Sequence, residues 1–159
     1  GGLAFDGLAI FNALAEHPAA TTGIIESVAA SAASLAVIGA DMVKMQANAV
    51  YQIHEGIAGA YGHIADLRDV IEWLQKFNAA AVDTYAAKTG KSVDVISKAL
   101  LGSNGDGTKY TAQEALDMGF VDEIIPIAKS TKQKPAAKND TLERKLAARI
   151  LAAKLDCLK

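Results

Sequence analysis

Residues 21–40 read TTGIIESVAASAASLAVIGA, and they place a short β-rich run before a run of small residues. Residues 21–25 are rich in β-branched side chains and predict a short buried strand. Residues 29–40 are almost all small or apolar, which predicts a helix packed tightly on its neighbours. A strand that leads into a packed helix is typical of α/β proteins.

The alternation of strands and helices continues on both sides of this stretch. Upstream, apolar residues three to four positions apart predict a helix from Phe5 that ends near Pro18. Downstream, residues 42–45 and 50–54 predict two further strands, and glycines at positions 56, 59 and 62 predict a loop. The pattern indicates an α/β fold with a mainly parallel sheet covered by helices.

The second half of the body is predicted to be mostly helical. A long amphipathic helix should run from residue 64 to about residue 87, with Gly90 as its C-cap and with apolar positions at Ile64, Leu67, Ile71, Leu74, Phe77 and Val82. A shorter helix over 92–101 and a turn-rich loop over 102–107 follow. The capping-box sequence TAQE at 111–114 opens a helix that ends at Gly119, and residues 121–127 predict the last strand.

Composition limits the class of protein. The chain has 159 residues, is 51% apolar and carries a net charge of -2, which suits one α/β domain rather than a disordered chain. Its one cysteine, Cys157, excludes a disulfide scaffold and favours a reducing, cytoplasmic location. No run of 18 apolar residues and no targeting pattern is present, so we expect no membrane span.

Charge divides the chain into an acidic body and a basic tail. Residues 1–128 hold 7 Lys and Arg against 15 Asp and Glu, whereas residues 129–159 hold 9 against 3. The acidic body argues against nucleic-acid binding, which needs basic side chains. We expect one domain over 1–128, a basic linker over 129–140 and a terminal amphipathic helix over 141–159.

Two polar side chains stand at positions where α/β proteins place chemistry. Ser31 lies at the start of the small-residue helix, where free backbone amides and neighbouring alanines let a substrate approach. His54 ends a strand before the glycine-rich loop, as a general base would. On spacing alone, a structural role for each remains open. The three histidines and one cysteine lack ligand spacing, so neither a metal nor a cofactor is predicted.

Several motifs together resemble the Clp protease proteolytic subunit family, and most of all its phage branch of head maturation (prohead) proteases. They are GG at 1–2, GLAIFNAL at 7–14, AASAAS at 29–34, QIH at 52–54, TAQEA at 111–115 and GFVD at 119–122. The resemblance runs from residue 1 to about 127 and implies a ClpP/crotonase-like fold. The family's SPGG motif begins here at its first glycine, so the resemblance also implies that several N-terminal strands are missing.

The resemblance implies a serine endopeptidase with a Ser-His-Asp triad. Carried over by position, Ser31 is the nucleophile and His54 the general base, while the backbone amides of Gly2 and Ala32 form the oxyanion hole. The family acid aligns at Gly107, and the nearest carboxylate, Asp106, is expected to take its place. Glu55 should be a poor substitute because neighbouring strand residues face opposite sides.

The resemblance also implies partners. They are a protein or peptide substrate, copies of the same chain in a ring, and either a Clp ATPase or phage capsid and scaffold proteins. The stretch 57–85 resembles the segment through which family rings pair.

Three other functions stay open. Acyl-CoA chemistry of the crotonase type needs no Ser31–His54 pair, and a Ser-Lys peptidase would not need His54. A catalytically inactive oligomeric assembly module would need neither residue. If Ser31 is not the nucleophile, Ser34 is the next candidate.

Overall fold

The computed structural model describes residues 1–128, so the predicted linker and terminal helix lie outside the described residues. The helices are α1 (Ala4–Ala15), α2 (Ala32–Val37), α3 (Ile64–Thr89), α4 (Val93–Leu101) and α5 (Ala112–Met118). The strands are β1 (Thr22–Ile25), β2 (Val28–Ala30), β3 (Met42–Gln46), β4 (Val50–Ile53), β5 (Thr108–Thr111) and β6 (Glu123–Ile125).

The strands form two three-stranded sheets, in the orders β1-β3-β6 and β2-β4-β5. In the first sheet Thr22 pairs with Met42, Lys44 pairs with Glu123, and all strands are parallel. In the second, β2 is parallel to β4, whereas β5 is antiparallel to β4. The predicted α/β fold with mainly parallel pairing is confirmed, although the strands divide between two sheets.

An aromatic cluster lies at the centre of the core. The Phe120 ring stacks on Tyr51 with centroids 4.9 Å apart and meets Tyr85 edge-on at 5.7 Å. Tyr110 approaches the same ring at 5.3 Å. Because Tyr51 lies on β4, Tyr85 on α3 and Tyr110 on β5, this cluster joins the second sheet to the long helix.

The helix ends follow local sequence signals, as predicted. The Thr111 amide donates to a Glu114 carboxylate oxygen at 2.8 Å, and the Glu114 amide donates back to the Thr111 hydroxyl at 3.3 Å. α3 ends at Gly90, which adopts φ 68° and donates its amide to the Ala86 carbonyl oxygen. Ser92 caps α4, since its side chain accepts from the Val95 amide.

One helix prediction is wrong, two strand predictions are correct except at their ends, and one strand was missed. The helix expected over 29–40 is instead β2, a turn at Ser31 and the short α2, because Val28 and its neighbours pair with β4. The strand expected over 50–54 ends at Ile53, and that expected over 121–127 shrinks to β6. β5 was not predicted at all; it follows directly on the glycine-rich loop and pairs with β4. Within the described residues, no helix combines the length and apolarity needed to cross a bilayer.

Candidate active site

Ser31 occupies a strained turn between β2 and α2. Its φ of 59° and ψ of -131° make it the one non-glycine residue with positive φ in the described part of the chain. Such a backbone conformation costs roughly 1–3 kcal/mol and is concentrated at functional sites. The turn is held in place by the Ser31 amide, which donates to the Gln52 carbonyl oxygen on β4 at 3.2 Å. The expectation that β1 leads directly into this helix is therefore wrong, because β2 comes between them.

Ser31 and His54 line the same cleft of about 340 Å³. Gly2, Ala32 and Glu55 also line it, together with apolar side chains from α2, α3 and the loop after β4: Leu35, Ile57, Phe77 and Ala81. The structure thus brings together four of the five residues predicted for the site. The fifth, Asp106, does not line this cleft.

The imidazole of His54 is oriented by a backbone group. Its Nδ1 lies 2.6 Å from the carbonyl oxygen of Glu55. A carbonyl oxygen can only accept, so in this arrangement Nδ1 carries the proton and the neutral ring leaves Nε2 as the acceptor. This is the tautomer that a general base needs to remove a proton from a serine hydroxyl.

His54 and Glu55 lie beyond the end of β4, and this changes what was expected of Glu55. The alternation of faces applies within a strand, whereas β4 ends at Ile53. Glu55 therefore lines the cleft together with His54, and the argument from alternation does not apply to it. Only its backbone carbonyl oxygen is bonded to the imidazole in the described residues, so its poor suitability as the orienting acid stays a prediction. A Cβ atom on Gly105 would lie 3.2 Å from a Glu55 carboxylate oxygen, so this carboxylate lies beside the loop 102–107.

Asp106 shapes its own loop. One of its carboxylate oxygens accepts from the amides of Ser103 and Asn104 at 3.2 and 3.4 Å. No hydrogen bond joins Asp106 to His54 in the described residues. The loop itself is close to the histidine: Gly107 has φ 72°, and a Cβ atom there would overlap the Ile53 carbonyl oxygen and lie 2.5 Å from the His54 Cα.

Gly2 and Ala32, whose backbone amides were expected to form the oxyanion hole, both line the cleft. Ala32 is the first residue of α2, so its amide has no carbonyl one turn earlier in the helix to bind. Gly1 lies against the turn at Ser31, since a Cβ atom there would be 3.2 Å from the Ser31 Cβ. Gly2, the next residue, precedes the Leu3 N-cap of α1.

A buried hydroxyl network lies behind Ser31, and sequence analysis did not predict it. The Ser34 hydroxyl donates to the Ser31 carbonyl oxygen at 2.6 Å and lies 2.7 Å from the Tyr85 hydroxyl. The Tyr51 hydroxyl donates to the Ser34 carbonyl oxygen at 2.8 Å. Burial raises the pKa of Tyr85, and it raises the pKa of Tyr51 well above its usual value. Both phenols therefore stay protonated and able to donate.

The network also bears on Ser34 as a substitute nucleophile. Ser34 is completely buried, and its hydroxyl is already occupied by two partners. A substrate carbonyl cannot reach it without unfolding α2. One feature of the sequence could have predicted a buried hydrogen-bonding role for Ser34: it is a second serine, three residues after Ser31, in an otherwise apolar helix.

In the described range 1–128, no group of three His, Cys, Asp or Glu side chains is arranged to hold a metal ion.

Comparisons with a family model and with curated proteins point to the same family. The family model described as Clp protease matches residues 1–128. The ATP-dependent Clp protease proteolytic subunit of Deinococcus radiodurans is 29% identical over 127 residues, which are 79% of this chain and 60% of that protein. The ATP-dependent Clp protease proteolytic subunit 1 of Leifsonia xyli subsp. xyli is 34% identical over 80 residues, 48% of this chain and 37% of that protein. The chain thus spans only part of the length of these curated relatives.

Proposed function

The chain belongs to the Clp protease family, and on this premise we propose that it is a serine endopeptidase with Ser31 as nucleophile and His54 as general base. The observation that carries the proposal is the strained turn that presents Ser31 to a cleft shared with His54. A nucleophile at a sharp strand-to-helix turn, with free amides beside it, is the arrangement that acyl transfer to a hydroxyl requires.

In this mechanism Ser31 attacks the carbonyl carbon of the scissile peptide bond while His54 Nε2 takes the hydroxyl proton. The negative charge that develops on the carbonyl oxygen is received by the amides of Ala32 and Gly2. His54 then returns its proton to the leaving amine. In the second half of the reaction water attacks the acyl-enzyme, His54 takes its proton and passes it to the Ser31 oxygen, and the carboxylic acid product is released. The apolar side chains that line the cleft favour substrates with an apolar residue beside the scissile bond.

We assign Asp106 as the third member of the triad. The support is that its loop packs on His54: Gly107 contacts the His54 backbone, and the Gln52 side chain donates to the Asp106 carbonyl oxygen at 3.2 Å. A change of side-chain rotamer has to bring the carboxylate to Nδ1. It breaks two weak turn hydrogen bonds of Asp106 and the hydrogen bond from Nδ1 to the Glu55 carbonyl oxygen. The rival arrangement is a Ser31–His54 dyad in which the Glu55 carbonyl oxygen alone orients the ring.

Partners are proposed on family grounds. The relatives are named as proteolytic subunits of ATP-dependent proteases, so we propose that this chain assembles with copies of itself into a ring and receives protein substrates from a Clp ATPase. The resemblance of its motifs to the phage branch supports prohead maturation, with capsid or scaffold protein as substrate, in the cytoplasm of an infected cell. An exposed apolar face on the first half of α3, formed by Ile64, Leu67 and Ile71, supports the self-association.

A fluorophosphonate probe tests the proposed function. The probe forms a covalent adduct with an activated serine, so mass spectrometry should find it on Ser31 of the wild-type chain and find none on Ser31→Ala. Ser27→Ala is the matched control, since this serine is exposed and outside the cleft, and the variant should still be labelled at Ser31. A folded wild-type protein that gives no adduct would exclude the peptidase and favour the non-catalytic assembly module. Labelling that survives His54→Ala at the wild-type rate would favour a Ser-Lys peptidase.

Asp106→Asn separates the triad from the dyad. Loss of a triad acid lowers turnover by about 10,000-fold, because the histidine tautomer and the imidazolium lose their support. Folding should change little, since an asparagine oxygen can still accept from the Ser103 and Asn104 amides. A loss of less than about tenfold in peptide hydrolysis, or about 1.4 kcal/mol of barrier, would reject Asp106 and leave the dyad.

A further inference from the structure

We propose that Ser34 and Tyr85 are positioning residues that fix the orientation of the Ala32 amide, the second oxyanion donor. The proposal rests on the proposed peptidase function and adds a relay of two buried hydroxyl groups to it. Neither residue touches the substrate carbonyl; both act on the peptide unit that does.

One rigid peptide unit joins the relay to the oxyanion site. The Ser31 carbonyl group and the Ala32 amide belong to the same planar trans peptide, so they point in opposite directions. Fixing the carbonyl oxygen therefore fixes the amide hydrogen. Three donors hold that oxygen: the Ser34 amide at 2.9 Å, the Leu35 amide at 3.3 Å and the Ser34 hydroxyl at 2.6 Å.

The direction of the relay follows from counting protons. Ser34 has one hydroxyl hydrogen, which it gives to the Ser31 carbonyl oxygen, because a carbonyl oxygen can only accept. The 2.7 Å contact with Tyr85 therefore has the tyrosine as donor and Ser34 as acceptor. The relay thus runs from the Tyr85 hydroxyl to the Ser34 hydroxyl, then to the Ser31 carbonyl oxygen.

Burial makes the relay effective. Ser34 is fully buried and Tyr85 is almost fully buried, so water does not compete for these hydrogen bonds at Ser34. Tyr85 sits on α3 beside the cleft, whereas Ser31 and Ser34 belong to the turn and to α2. The relay counters a specific weakness: Ser31 has a positive φ, so its backbone would otherwise relax and rotate the Ala32 amide away from the cleft.

A single NMR signal reports on this peptide directly. Ser31-Ala32 is the only Ser-Ala pair in the sequence, so serine labelled with carbonyl ¹³C and alanine labelled with ¹⁵N give one signal in a carbonyl-amide correlation. In the wild type this signal should be single and narrow. In Tyr85→Phe and in Ser34→Ala it should shift or broaden, because the peptide samples more than one orientation. This readout does not depend on activity.

Steady-state kinetics give the second readout. Loss of one oxyanion donor lowers kcat by about 100–1000-fold, so a mispositioned donor should cost roughly tenfold to 100-fold in kcat with KM unchanged. Tyr85→Phe, Ser34→Ala and the double variant should show the same loss, because they break one relay. Tyr51→Phe is the matched control: it removes a buried phenol that binds the Ser34 carbonyl oxygen and not the relay.

The outcomes are distinguishable from those for the proposed function. A wild type that fluorophosphonate does not label defeats the peptidase, and the NMR signal still tests the relay. An unchanged Ala32 signal in folded Tyr85→Phe and Ser34→Ala overturns the relay. So does a kcat for Tyr85→Phe that equals that of Tyr51→Phe, since the effect would then come from losing any buried phenol.

Discussion

The two halves of α3 have the same apolar periodicity and opposite surroundings. In the first half, Ile64, Leu67 and Ile71 are exposed, and the Trp73 side chain is 56% exposed. In the second half, Phe77, Ala81, Val82 and Tyr85 are buried against the core and the cleft. The helix is continuous across both halves, so its stability must come mainly from the second.

The difference between the two halves shows which contacts an amphipathic pattern predicts and which it does not. A stripe of apolar residues requires a partner surface, and it does not specify whether that surface belongs to the same chain. The second half packs on this domain and carries Tyr85 to the site. The first half leaves its stripe uncovered among the described residues, which is why we assign it to self-association.

The largest effect is expected from truncating the buried half. Phe77→Ala should destabilise the fold by about 3–5 kcal/mol, because it removes a buried ring and leaves a cavity. Trp73→Ala is the matched control in the exposed half: its ring lies 4.7 Å from Phe5, and its loss should cost only about 1 kcal/mol. Urea unfolding followed by circular dichroism measures both. Equal losses would mean that the two halves are equally packed.

A charge placed on the exposed stripe should break assembly and leave the fold intact. Ile71→Glu should weaken self-association by about 30-fold or more, as expected for a central interface residue.

Ala65→Glu is the control for Ile71→Glu, because it adds the same charge about 120° around the helix from Ile71. Sedimentation velocity should show an oligomer for this variant and for the wild type. A monomeric wild type at micromolar concentration would contradict the assignment of the stripe.

The C-terminal cap of α3, in the buried half, should contribute more to the free energy of unfolding than the N-terminal cap in the exposed half. Gly90→Ala should cost about 1–2 kcal/mol, since φ 68° is unfavourable for a residue with a Cβ atom. No atom lies within 4 Å of such a Cβ, so the cost would be purely conformational. A shift in the urea midpoint near zero would show that the end of α3 frays without affecting the core.

The smallest effect is expected at the other end of the helix. The Asp66 carboxylate accepts from the His63 amide at 2.7 Å and lies in the first turn of α3. Asp66→Ala should cost about 0.5–1 kcal/mol through loss of this cap. Hydrogen exchange should rise only around residues 64–70. A rise that extends to Phe77 would join the two halves into one cooperative unit.

Local signals in the sequence predicted the helix ends, while strands that depend on distant pairing were misread or missed. Thr111, Glu114 and Gly90 act within one turn of chain, so their roles are visible in the sequence. Val28–Ala30 looks helical by composition, and it is extended only because β4 lies beside it. β5 begins one residue after Gly107, and its partner strand is nearly sixty residues away.

The same division holds for the site. Ser31 and His54 were chosen by position and do line one cleft, whereas their triad roles stay predictions. The Glu55 backbone carbonyl oxygen that binds His54 and the hydrogen bonds between Ser34 and Tyr85 were not foreseen. The first depends on where β4 ends, and the second depends on how α3 packs against α2. No local sequence pattern predicts either of these.

The late position of β5 and β6 has a consequence for how the chain is made. Both sheets are completed by strands near the end of the described region: β5 joins β4, and β6 joins β3. While the residues after position 100 are still in the ribosome, β3 and β4 each lack one neighbouring strand. Unpaired strand edges can pair with strands of other chains, and strand pairing between distant parts of a sequence is slow. The nascent chain is therefore most exposed to misassembly just before residues 108–125 emerge.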